Sequence, residues 1–511
     1  MNKNDLIQTV IKPIEEKGGK AYFVGGCVRD KLLGKEPNDY DIVTNFTPEQ
    51  LHKVFKKFSN VSTNAEQFGV TMPLVKIGDN FEEVEIATFR KDITKGRHPE
   101  VSLDATIEED ASRRDFTINA LYEDKDGNII DPTGNGKIDI KTKILRFVGN
   151  PVDRLSEDPL RAYRFMRFLA KGFNSPYSIE QLKEFSKIID FKGLSKERKL
   201  KEIKKTFSSK NFLPKSSSFI AGRALGIFED IGLEKIFQDM DNTKQSYKWH
   251  AEGSLVEEIN DGNIYRGENV KDFSCMKPYS QGTVLNHTLN VLSEMNKIIF
   301  KDAAIEITKV DFEDEEKRFL LILSAILHDI GKPYCNEGTK TNTFTWGNNT
   351  YIEKVPKVTS HAFIGVPYAE EFCKNLGMSN DEIKFVTTLV ANHMEAHKFK
   401  EHKHKFKILE FVHQPLFKEI MLLAQADDRG SIATVKNTMA TPEQTLSDPV
   451  VIEMINTPMP KPILTGKDLI DYGLKPNPLF SKMLRVALIH QFEQNETDKK
   501  RLFYFVKNIK E

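Results

Sequence analysis

The stretch YFVGGCVRDKLLGKEPNDYDIVT, Tyr22–Thr44, decides the fold of the N-terminal third of the chain. An apolar strand candidate leads into Gly25 and Gly26, and a short helical segment follows. Glycines at such a turn let backbone N–H groups approach an anion closely, and the start of a helix adds the positive end of its dipole. The pattern predicts a cradle for a nucleotide triphosphate, although Gly-Gly also occurs in ordinary turns.

Asp39 and Asp41 follow about a dozen residues later. Because residues i and i+2 of a strand share a face, we expect the two carboxylates side by side. They would repel each other unless a cation lay between them. Hard oxygen ligands suit Mg²⁺, and a pair of such ions can activate a hydroxyl and stabilise a leaving pyrophosphate. The alternative is a solvated turn, but the preceding Gly-Gly turn favours a metal site.

Composition limits the possible classes of protein. With 511 residues and 39% hydrophobic content, the chain is long enough for several domains. Lys+Arg and Asp+Glu both number 74, so only local clusters of charge could bind an anionic partner. The cysteines have no Cys-x-x-Cys spacing, which argues against a disulfide framework or a thiolate zinc site. Without a leader pattern or a membrane-spanning apolar run, we expect a soluble cytoplasmic protein.

The pattern of apolar residues changes along the chain. Residues 1–145 predict an α/β head with strand candidates AYFVGG, YDIVT, GVTMPLVKIG, EEVEIATF and FTINALYED. From Asp153 the pattern is helical, and DRLSEDPLRAYRFMRFLAKGF predicts one amphipathic helix. The predicted domains are a head at 1–145, an all-α neck and body at 146–245, a second all-α domain at 246–435 with an insertion near 253–282, and a helical tail of unassigned function at 436–511.

The motif GGCVRD…DYD resembles the signature of polymerase-β-like nucleotidyltransferases, in the branch that contains tRNA CCA-adding enzymes and bacterial poly(A) polymerases. EVEIATFRKDITKGRHPEV, SRRDFTINALYE, DPTGNGKIDIKTKILRFVGNP and SEDPLRAYRFMRF follow in the order of that family. The resemblance implies that Asp39 and Asp41 bind Mg²⁺, with Glu85 as a weaker third candidate. It also implies nucleotide contacts from Gly25, Gly26, Arg29, Arg113, Arg114, Asp115, Asp158, Arg161 and Arg164.

Glu157, Asp158 and Arg161 form the most informative group. On one helix, Asp158 and Arg161 would project from the same face. A carboxylate accepts from an exocyclic amine and a guanidinium donates to a ring nitrogen or carbonyl, so the pair could select cytosine and adenine. The resemblance implies this protein-based selection, and the alternative is an intrahelical salt bridge. Two interpretations also remain for the neighbouring motif of Arg113, Arg114 and Asp115. These residues would contact the phosphates and the ribose of the nucleotide, or they would form a salt-bridge network.

The C-terminal half carries a second constellation in NHTLNVL, AILHDIGKP, SHAFIGV, VANHMEAH and AQADDRG. Its His and Asp residues lie in apolar helical patterns, where a buried His-Asp pair needs a partner such as a metal. Imidazole and carboxylate ligands suit a transition metal such as Ni²⁺ or Mn²⁺ and hydrolysis of a phosphoester. The pattern resembles the HD phosphohydrolase superfamily. The metal ligands would be His287, His328, Asp329 and Asp427, with His361 and His393 as auxiliary residues.

Together the motifs predict an α/β polymerase-β-like nucleotidyltransferase head, an all-α neck and body, and an all-α HD domain. The expected reaction is addition of CCA to a tRNA 3′ end from CTP and ATP. The HD domain would act as a 2′,3′-cyclic phosphodiesterase, 2′-nucleotidase or phosphatase. A poly(A) polymerase or A-adding enzyme and a regulatory nucleotidyltransferase-HD enzyme remain alternatives. A non-enzymatic RNA-binding protein would require lost carboxylates, and the oligomeric state stays open.

Overall fold

The structure is a computed structural model of the chain. It describes residues 2–58, 66–77, 80–94, 100–243, 247–251, 276–280, 283–301, 304–308, 310–335, 338–346, 349–356, 358, 360–397, 404–431 and 441–509. The chain divides into two compact units, Met1–Glu234 and Lys235–Glu511. Apart from the strand at 276–280, the predicted insertion near 253–282 lies outside the described residues.

A mixed sheet forms the centre of the first unit. The strands of this unit are β1 (Ala21–Val24), β2 (Ile42–Thr44), β3 (Val70–Thr71), β4 (Leu74–Ile77), β5 (Asn80–Glu83), β6 (Ile86–Thr88), β7 (Lys91–Asp92), β8 (Val101–Ser102), β9 (Tyr122–Glu123) and β10 (Ile129–Ile130). Six of them lie in the order β10-β9-β1-β2-β6-β3, and only β2 and β6 run parallel. The pairs β4–β5 and β7–β8 are separate antiparallel hairpins.

Helices make up most of the rest of the first unit, and the last of those named here crosses into the second unit. They are α1 (Lys3–Leu6), α2 (Lys12–Glu16), α3 (Gly26–Leu32), α4 (Pro48–Val54), α5 (Ile107–Ser112), α6 (Gly136–Thr142), α7 (Pro151–Glu157), α8 (Leu160–Ala170), α9 (Ile179–Ser186), α10 (Lys196–Phe207), α11 (Ser217–Ala224), α12 (Ile227–Asp230) and α13 (Leu233–Asp241). A π-helical turn, Ile7–Ile11, joins α1 to α2. Buried aromatic rings connect the sheet region to α8, where Phe147 and Phe165 stack with centroids 5.3 Å apart.

Three predicted elements of the first unit differ from the structure. The strand candidate GVTMPLVKIG divides into β3 and β4 because Pro73 lacks the N–H that a continuous ladder needs. Of FTINALYED, only Tyr122–Glu123 is a strand, and Thr117–Asn119 is a 3₁₀ helix. The single helix predicted after Asp153 is divided into α7 and α8.

The second unit is mainly helical. Its helices after α13 are α14 (Val284–Phe300), α15 (Glu315–Leu327), α16 (His361–Leu376), α17 (Asn380–Asn392), α18 (Lys405–Val412), α19 (Phe417–Gly430), α20 (Pro442–Leu446), α21 (Pro449–Asn456), α22 (Gly466–Asp471), α23 (Leu479–Glu493) and α24 (Lys499–Val506). Every residue of Phe319–Leu327 in α15 is buried, which is typical of a central helix. Helix α14 packs against α15 and α19, and α16 packs against α17.

Two strand pairs interrupt the helical region that the sequence predicted to be all-α. These are β11 (Tyr247–Ala251) with β12 (Met276–Ser280), and β13 (Thr339–Trp346) with β14 (Asn349–Pro356). The strands β13 and β14 are rich in threonine and aromatic or β-branched residues, which favour extended backbone. The prediction of a helical HD domain is confirmed apart from these insertions. Near the C-terminus, Leu469, Met483 and Leu502 belong to a separate small apolar core.

Candidate nucleotide and metal sites

Three carboxylates meet at one edge of the head sheet. Asp41 directly precedes β2 and Glu85 directly precedes β6, and the first residues of these parallel strands, Ile42 and Ile86, pair with each other. Asp39 lies two residues before Asp41. The two aspartates therefore lie just before the strand that was predicted to contain them.

Burial and mutual repulsion raise the pKa values of two of these carboxyl groups. The pKa of Asp41 is raised by burial of its carboxyl group and by the charge of Asp39, and the positive charges of Arg114 and Arg29 partly oppose this rise. Burial and the charge of Asp41 also raise the pKa of Glu85. Oxygen ligands in mutual repulsion fit a divalent cation such as Mg²⁺.

The Gly-Gly turn lies at the same edge of the sheet. The backbone N–H of Val24 donates to the carbonyl of Asp41 at 3.0 Å, which fixes the end of β1 beside the start of β2. Gly25 has a φ of +73°, a backbone conformation that residues other than glycine rarely adopt. A Cβ atom at Gly25 would lie 3.6 Å from Nη1 of Arg114. The turn, the arginine and the carboxylates are thus neighbours.

Both arginines of the SRRD motif are held by Asp110, a residue that the sequence interpretation missed. Asp110 is fully buried on α5. Its Oδ1 accepts from Nη2 of Arg113 at 2.8 Å, and its Oδ2 accepts from Nη2 of Arg114 at 3.0 Å. The hydroxyl of Tyr122 also donates to Oδ2 at 2.7 Å. The only sequence signal was the helical spacing of three and four residues to the arginines.

A second chain of contacts joins α3 to α8. Nη1 of Arg29 donates to Oδ1 of Asn119 at 2.7 Å, and Nδ2 of Asn119 donates to Oδ1 of Asp115 at 3.0 Å. Nη2 of Arg164 lies 2.8 Å from Oδ2 of Asp115. Burial raises the pKa of Asp115, but the charge of Arg164 and the hydrogen bond from Asn119 lower it by more. The net pKa is therefore below its usual value, which favours the ionised carboxylate. Asn119, which the sequence interpretation did not select, bridges two predicted nucleotide residues.

The geometry expected for Asp158 and Arg161 needs correction. Asp158 has an extended backbone, with φ −140° and ψ 100°, because Pro159 disfavours helical backbone at the preceding residue. The two side chains therefore do not share the face of one continuous helix. Oδ2 of Asp158 instead accepts from Nη2 of Arg198 at 3.3 Å.

Arg161 is held by the neighbouring loop and helix. Its Nη1 donates to Oε2 of Glu157 at 2.8 Å, and its Nη2 donates to the carbonyl of Arg113 at 2.9 Å. The predicted alternative of an ion pair is thus present, but it joins Arg161 to Glu157 and not to Asp158.

In the second unit, the ends of several helices bring together all six predicted HD residues. His287 lies on α14 and Asp427 on α19. His328 and His393 directly follow α15 and α17, and His361 begins α16. Side-chain caps fix where these helices begin: Thr283 caps α14, Asp314 caps α15 and Ser379 caps α17.

Asp329 lies at the centre of this cluster. Its Oδ2 is 3.3 Å from Nε2 of His328 and 3.6 Å from Nε2 of His287. Its Oδ1 is 3.2 Å from Nε2 of His361 and 3.8 Å from Nε2 of His393. One carboxylate thus faces four imidazoles.

Two further groups complete the cluster. Oδ1 of Asp427 lies 2.9 Å from Nε2 of His287. Nζ of Lys332 lies 2.5 Å from Oδ2 of Asp329.

The hydrogen bonds of the imidazoles show that the cluster fits a metal. The Nδ1 atoms of His328, His361 and His393 each lie within 2.9 Å of a backbone carbonyl, so a neutral ring must donate from Nδ1. The Nε2 lone pairs then face carboxylates and other imidazoles, an arrangement of acceptors that a cation would satisfy.

The pKa shifts of His393 and Asp329 favour a neutral imidazole and an ionised carboxylate, whereas burial lowers the pKa of His328 but the charge of Asp329 raises it above its usual value. Burial and the nearby His361 and His328 lower the pKa of His393 to about 3. Burial raises the pKa of Asp329, but the charges of His328 and Lys332 bring it well below its usual range. Neutral imidazole and ionised carboxylate are the forms that bind metal.

Two glycines allow the close helix contacts at this cluster. A Cβ atom at Gly331 would lie 2.0 Å from the carbonyl oxygen of His361, and one at Gly430 would lie 2.7 Å from the backbone nitrogen of Val291. Both distances are too short for any other residue without movement of the backbone. The first contact places His361 beside the segment that carries His328 and Asp329. The second contact places α19, which carries Asp427, against α14.

Comparison with known proteins identifies two domains. Residues 21–146 match the sequence model of the poly(A) polymerase head domain, and residues 284–429 match that of the HD domain. These matches confirm the order of domains inferred from the motifs. Among the described residues, no helix is both long and apolar enough to cross a membrane.

Curated relatives cover the first part of the chain. Poly(A) polymerase I of Haemophilus influenzae is 37% identical over 174 residues, which are 32% of this chain and 37% of the relative. The CCA-adding enzyme of Streptococcus mutans is 41% identical over 165 residues, 32% of this chain and 39% of the relative. The chain thus spans less than half the length of these two relatives.

A solved structure covers nearly the whole chain. The crystal structure of the CCA-adding enzyme of Bacillus stearothermophilus in complex with CTP aligns with 99% of this chain and 98% of its own, with a TM-score of 0.56 and 20% identity. At this identity, the likeness concerns the fold. Residues 21–146 therefore form a poly(A) polymerase head domain and residues 284–429 an HD domain, on a chain that shares the fold of CCA-adding enzymes.

Proposed function

We propose that the first unit is a template-independent nucleotidyltransferase that adds CCA to tRNA 3′ ends from CTP and ATP. The observation that supports this proposal most is the meeting of Asp39, Asp41 and Glu85 beside the Gly25–Gly26 turn. The proposal assigns residues 1–145 to the head, 146–245 to the neck and body, 246–435 to the HD domain and 436–511 to the tail. Free thiols in the described chain fit a reducing cytoplasm.

Asp39 and Asp41 would hold Mg²⁺, with Glu85 as a further oxygen ligand. Bound there, Mg²⁺ supplies polarisation of the primer 3′-hydroxyl and of the nucleotide phosphates. The protein itself binds and orients the nucleotide. Arg114 presents its guanidinium beside Gly25, where a phosphate would lie, and Asp115 offers a carboxylate to a ribose hydroxyl.

Base selection would fall to Asp158 and Arg161. Because Arg198 holds one oxygen of Asp158, the carboxylate has a defined direction in which to accept from the amino group of cytosine or adenine. Arg161 is fixed by Glu157 and by the carbonyl of Arg113. The guanidinium therefore presents a rigid edge to the base.

Nucleotide incorporation tests this proposal. The protein is incubated with Mg²⁺, a tRNA that lacks its 3′ CCA, and each labelled NTP in turn. We expect incorporation of CMP from CTP, incorporation of AMP only after CTP has been supplied, and no incorporation by Asp39→Ala/Asp41→Ala. Incorporation of AMP alone on this tRNA would instead favour the poly(A) or A-adding alternative.

For the second unit we propose a metal-dependent phosphohydrolase that acts on RNA ends as a 2′,3′-cyclic phosphodiesterase, 2′-nucleotidase or phosphatase. His287, His328, Asp329 and Asp427 would hold a transition metal such as Ni²⁺ or Mn²⁺, and His361 and His393 would complete the pocket. The metal supplies activation of a water molecule. Lys332, beside Asp329, adds positive charge where a phosphoester would bind.

Hydrolysis of 2′,3′-cyclic AMP tests the second proposal. The protein is stripped with a chelator and reloaded with Ni²⁺, Mn²⁺ or Mg²⁺ before the assay. We expect activity with one of the transition metals and its loss in His328→Ala. Activity that persists in His328→Ala and Asp329→Asn would contradict the assignment of this cluster.

A further inference from the structure

Two tyrosine rings stack face to face in the HD domain. The ring centroids of Tyr334 and Tyr368 lie 3.9 Å apart, and the ring planes differ by 7°. Tyr334 ends a 3₁₀ turn, Lys332–Tyr334, and Tyr368 lies on α16. The pair belongs to neither of the two sets of site residues described above.

The backbone places this pair beside the metal-binding cluster. A Cβ atom at Gly331 would lie 2.0 Å from the carbonyl oxygen of His361 and 2.5 Å from the backbone nitrogen of Gly365. The 3₁₀ turn that follows also packs against α16, where Tyr334 meets Tyr368. Because His361, Gly365 and Tyr368 are spaced four and three apart, they share one face of α16. The tyrosine pair thus lies on the face that carries His361.

The separation of the tyrosines from the cluster is within the span of one nucleotide. Tyr368 follows His361 by seven residues, which is about 10 Å along the helix axis. Lys332, whose Nζ lies 2.5 Å from Oδ2 of Asp329, is two residues before Tyr334. A nucleotide carries its phosphoester and its base on opposite sides of the ribose. A phosphoester bound at the cluster and at Lys332 would therefore leave its base near the tyrosines.

The protein fixes one ring of the pair and leaves the other accessible. The hydroxyl of Tyr334 donates to Oδ2 of Asp239 at 2.7 Å. Tyr368 is 36% exposed, whereas Phe372, one turn further along α16, is 5% exposed and belongs to the core. Because one face of the Tyr368 ring lies on Tyr334, the exposed area belongs to the rest of the side chain. Tyr334 therefore supports an aromatic side chain that solvent can reach.

We propose that Tyr368, supported by Tyr334, is a stacking surface for the base of the nucleotide whose phosphoester is hydrolysed at the HD cluster. The proposal rests on the phosphohydrolase activity proposed above, and it restricts the substrates to the terminal nucleotides of RNA, as opposed to phosphoesters without a base. Every base has an aromatic face, so stacking tolerates all four. The surface would thus bind RNA ends of any sequence.

Binding of an analogue that cannot be hydrolysed tests the stacking surface. The ligands are 3′-phosphonomethyl-3′-deoxyadenosine, which has a C–P bond in place of the phosphoester, and methylphosphonate, which has no base. Their dissociation constants are measured by calorimetry on protein loaded with Ni²⁺ or Mn²⁺, for the wild type, Tyr368→Leu, Tyr368→Phe and Phe363→Leu. The nucleoside analogue has no 5′-phosphates, the groups that the head would bind.

Phe363 serves as the matched control for loss of an exposed aromatic ring. It is 80% exposed on the same helix, about 140° around the axis from Tyr368. We expect Tyr368→Leu to weaken the nucleoside analogue about tenfold and to leave methylphosphonate unchanged. Tyr368→Phe and Phe363→Leu should bind both ligands as the wild type does.

Steady-state kinetics with 2′,3′-cyclic AMP provide a second measurement. A base contact that is equal in the ground state and the transition state changes KM and leaves kcat unchanged. We therefore expect Tyr368→Leu to raise KM about tenfold at the same kcat. A fall in kcat at unchanged KM would contradict a role in holding the base.

Three binding results would overturn the stacking surface. These are an unchanged affinity of Tyr368→Leu for the nucleoside analogue, an equal loss for methylphosphonate, and an equal loss in Phe363→Leu. Because binding needs no turnover, an unchanged affinity in a protein that hydrolyses 2′,3′-cyclic AMP would refute the surface alone. Weaker binding by Tyr368→Leu, when the wild type hydrolyses no phosphate at an RNA end, would refute the proposed activity alone.

Discussion

Asp110 organises the arginines of the head from a fully buried position. Its Asn variant would leave Arg113, Arg114 and the hydroxyl of Tyr122 without a charged acceptor. Loss of one partner from a buried ion pair costs about 3 to 5 kcal/mol. We expect a loss of this size in the free energy of unfolding of Asp110→Asn at pH 7, measured by urea denaturation.

The pH dependence of this loss follows from the pKa of Asp110. Burial raises the pKa, but the charges of Arg114 and Arg113 lower it below its usual value. The stabilisation is therefore present above the unfolded pKa of about 3.9 and is lost as the pH falls through the lower native pKa. The difference between wild type and Asp110→Asn should narrow below about pH 4.

A matched control lies on the same helix. Glu108 is exposed, and its Gln variant should stay within about 0.5 kcal/mol of wild type. A free energy of unfolding for Asp110→Asn that is as close to wild type as this control would contradict the account of the arginine network.

Individual site residues were predictable where they form a local pattern. Asp39 and Asp41 are two apart beside a Gly-Gly turn, and the HD residues stand out as polar side chains in apolar helices. Asn119 gave no such signal, because its side chain bridges Asp115, four residues away, to Arg29, which is 90 residues away in the sequence. Contacts of this kind depend on tertiary packing and not on spacing.

At the level of secondary-structure elements, α10 supports the start of α8 through one ion pair. Arg198 on α10 holds Asp158, which lies in the break between α7 and α8. Without the Arg198 side chain, the carboxylate of Asp158 would lose the contact that fixes its direction. We expect Arg198→Ala to relax base selection, with UMP incorporated at the first position at roughly tenfold higher relative kcat/KM, while the reaction with CTP falls less.

Single-nucleotide incorporation with CTP and UTP measures this effect. Lys196→Ala removes an exposed charge from the first turn of the same helix and should leave selectivity unchanged. Arg198→Lys should restore part of the selectivity. Equal selectivity in Arg198→Ala and wild type would show that the ion pair has no part in reading the base.

The packing of α19 against α14 depends on Gly430. A Cβ atom there would lie 2.7 Å from the backbone nitrogen of Val291, so Gly430→Ala must move the helices that carry His287 and Asp427. We expect about a 10- to 100-fold loss of Ni²⁺ or Mn²⁺ affinity, measured by calorimetry on chelator-treated protein.

Gly466 provides the control for Gly430. A Cβ atom at Gly466 would have no heavy atom within 4 Å. Gly466→Ala should therefore bind metal as the wild type does. Wild-type metal affinity in Gly430→Ala would show that the close contact does not set the distance between the two ligands.

Helices and strands could be predicted from the sequence where the local pattern of apolar residues determines them. The helical HD region and strands β1 and β2 follow from apolar patterns. The break between α7 and α8 was missed, although Pro159 marks it in the sequence, because the apolar periodicity continues across the break. A 3₁₀ turn at Thr117–Asn119 lies where a strand was predicted, and it carries Asn119, whose side chain donates to Asp115.

At the scale of the whole molecule, the two sets of functional residues lie in different compact units. We therefore expect that their activities can be removed separately. Asp329→Asn should abolish hydrolysis of 2′,3′-cyclic AMP and leave nucleotide incorporation within about twofold of wild type. Asp39→Ala/Asp41→Ala should do the reverse.

Parallel assays of both reactions on the same preparations measure this separation. Circular dichroism confirms that each variant is folded. Loss of both reactions in either folded variant would contradict the assignment of one chemistry to each unit. The domain order could be inferred from the order of motifs, whereas the strand pairs inside the helical unit depend on segments that no motif marks.

We propose that the head adds a defined trinucleotide to the RNA. The most direct measurement is to sequence the 3′ ends of a tRNA lacking CCA after incubation with the protein, Mg²⁺ and all four NTPs. We expect a discrete CCA that is absent with Asp39→Ala/Asp41→Ala. A lengthening A tract, or no extension by the wild-type protein, would contradict it.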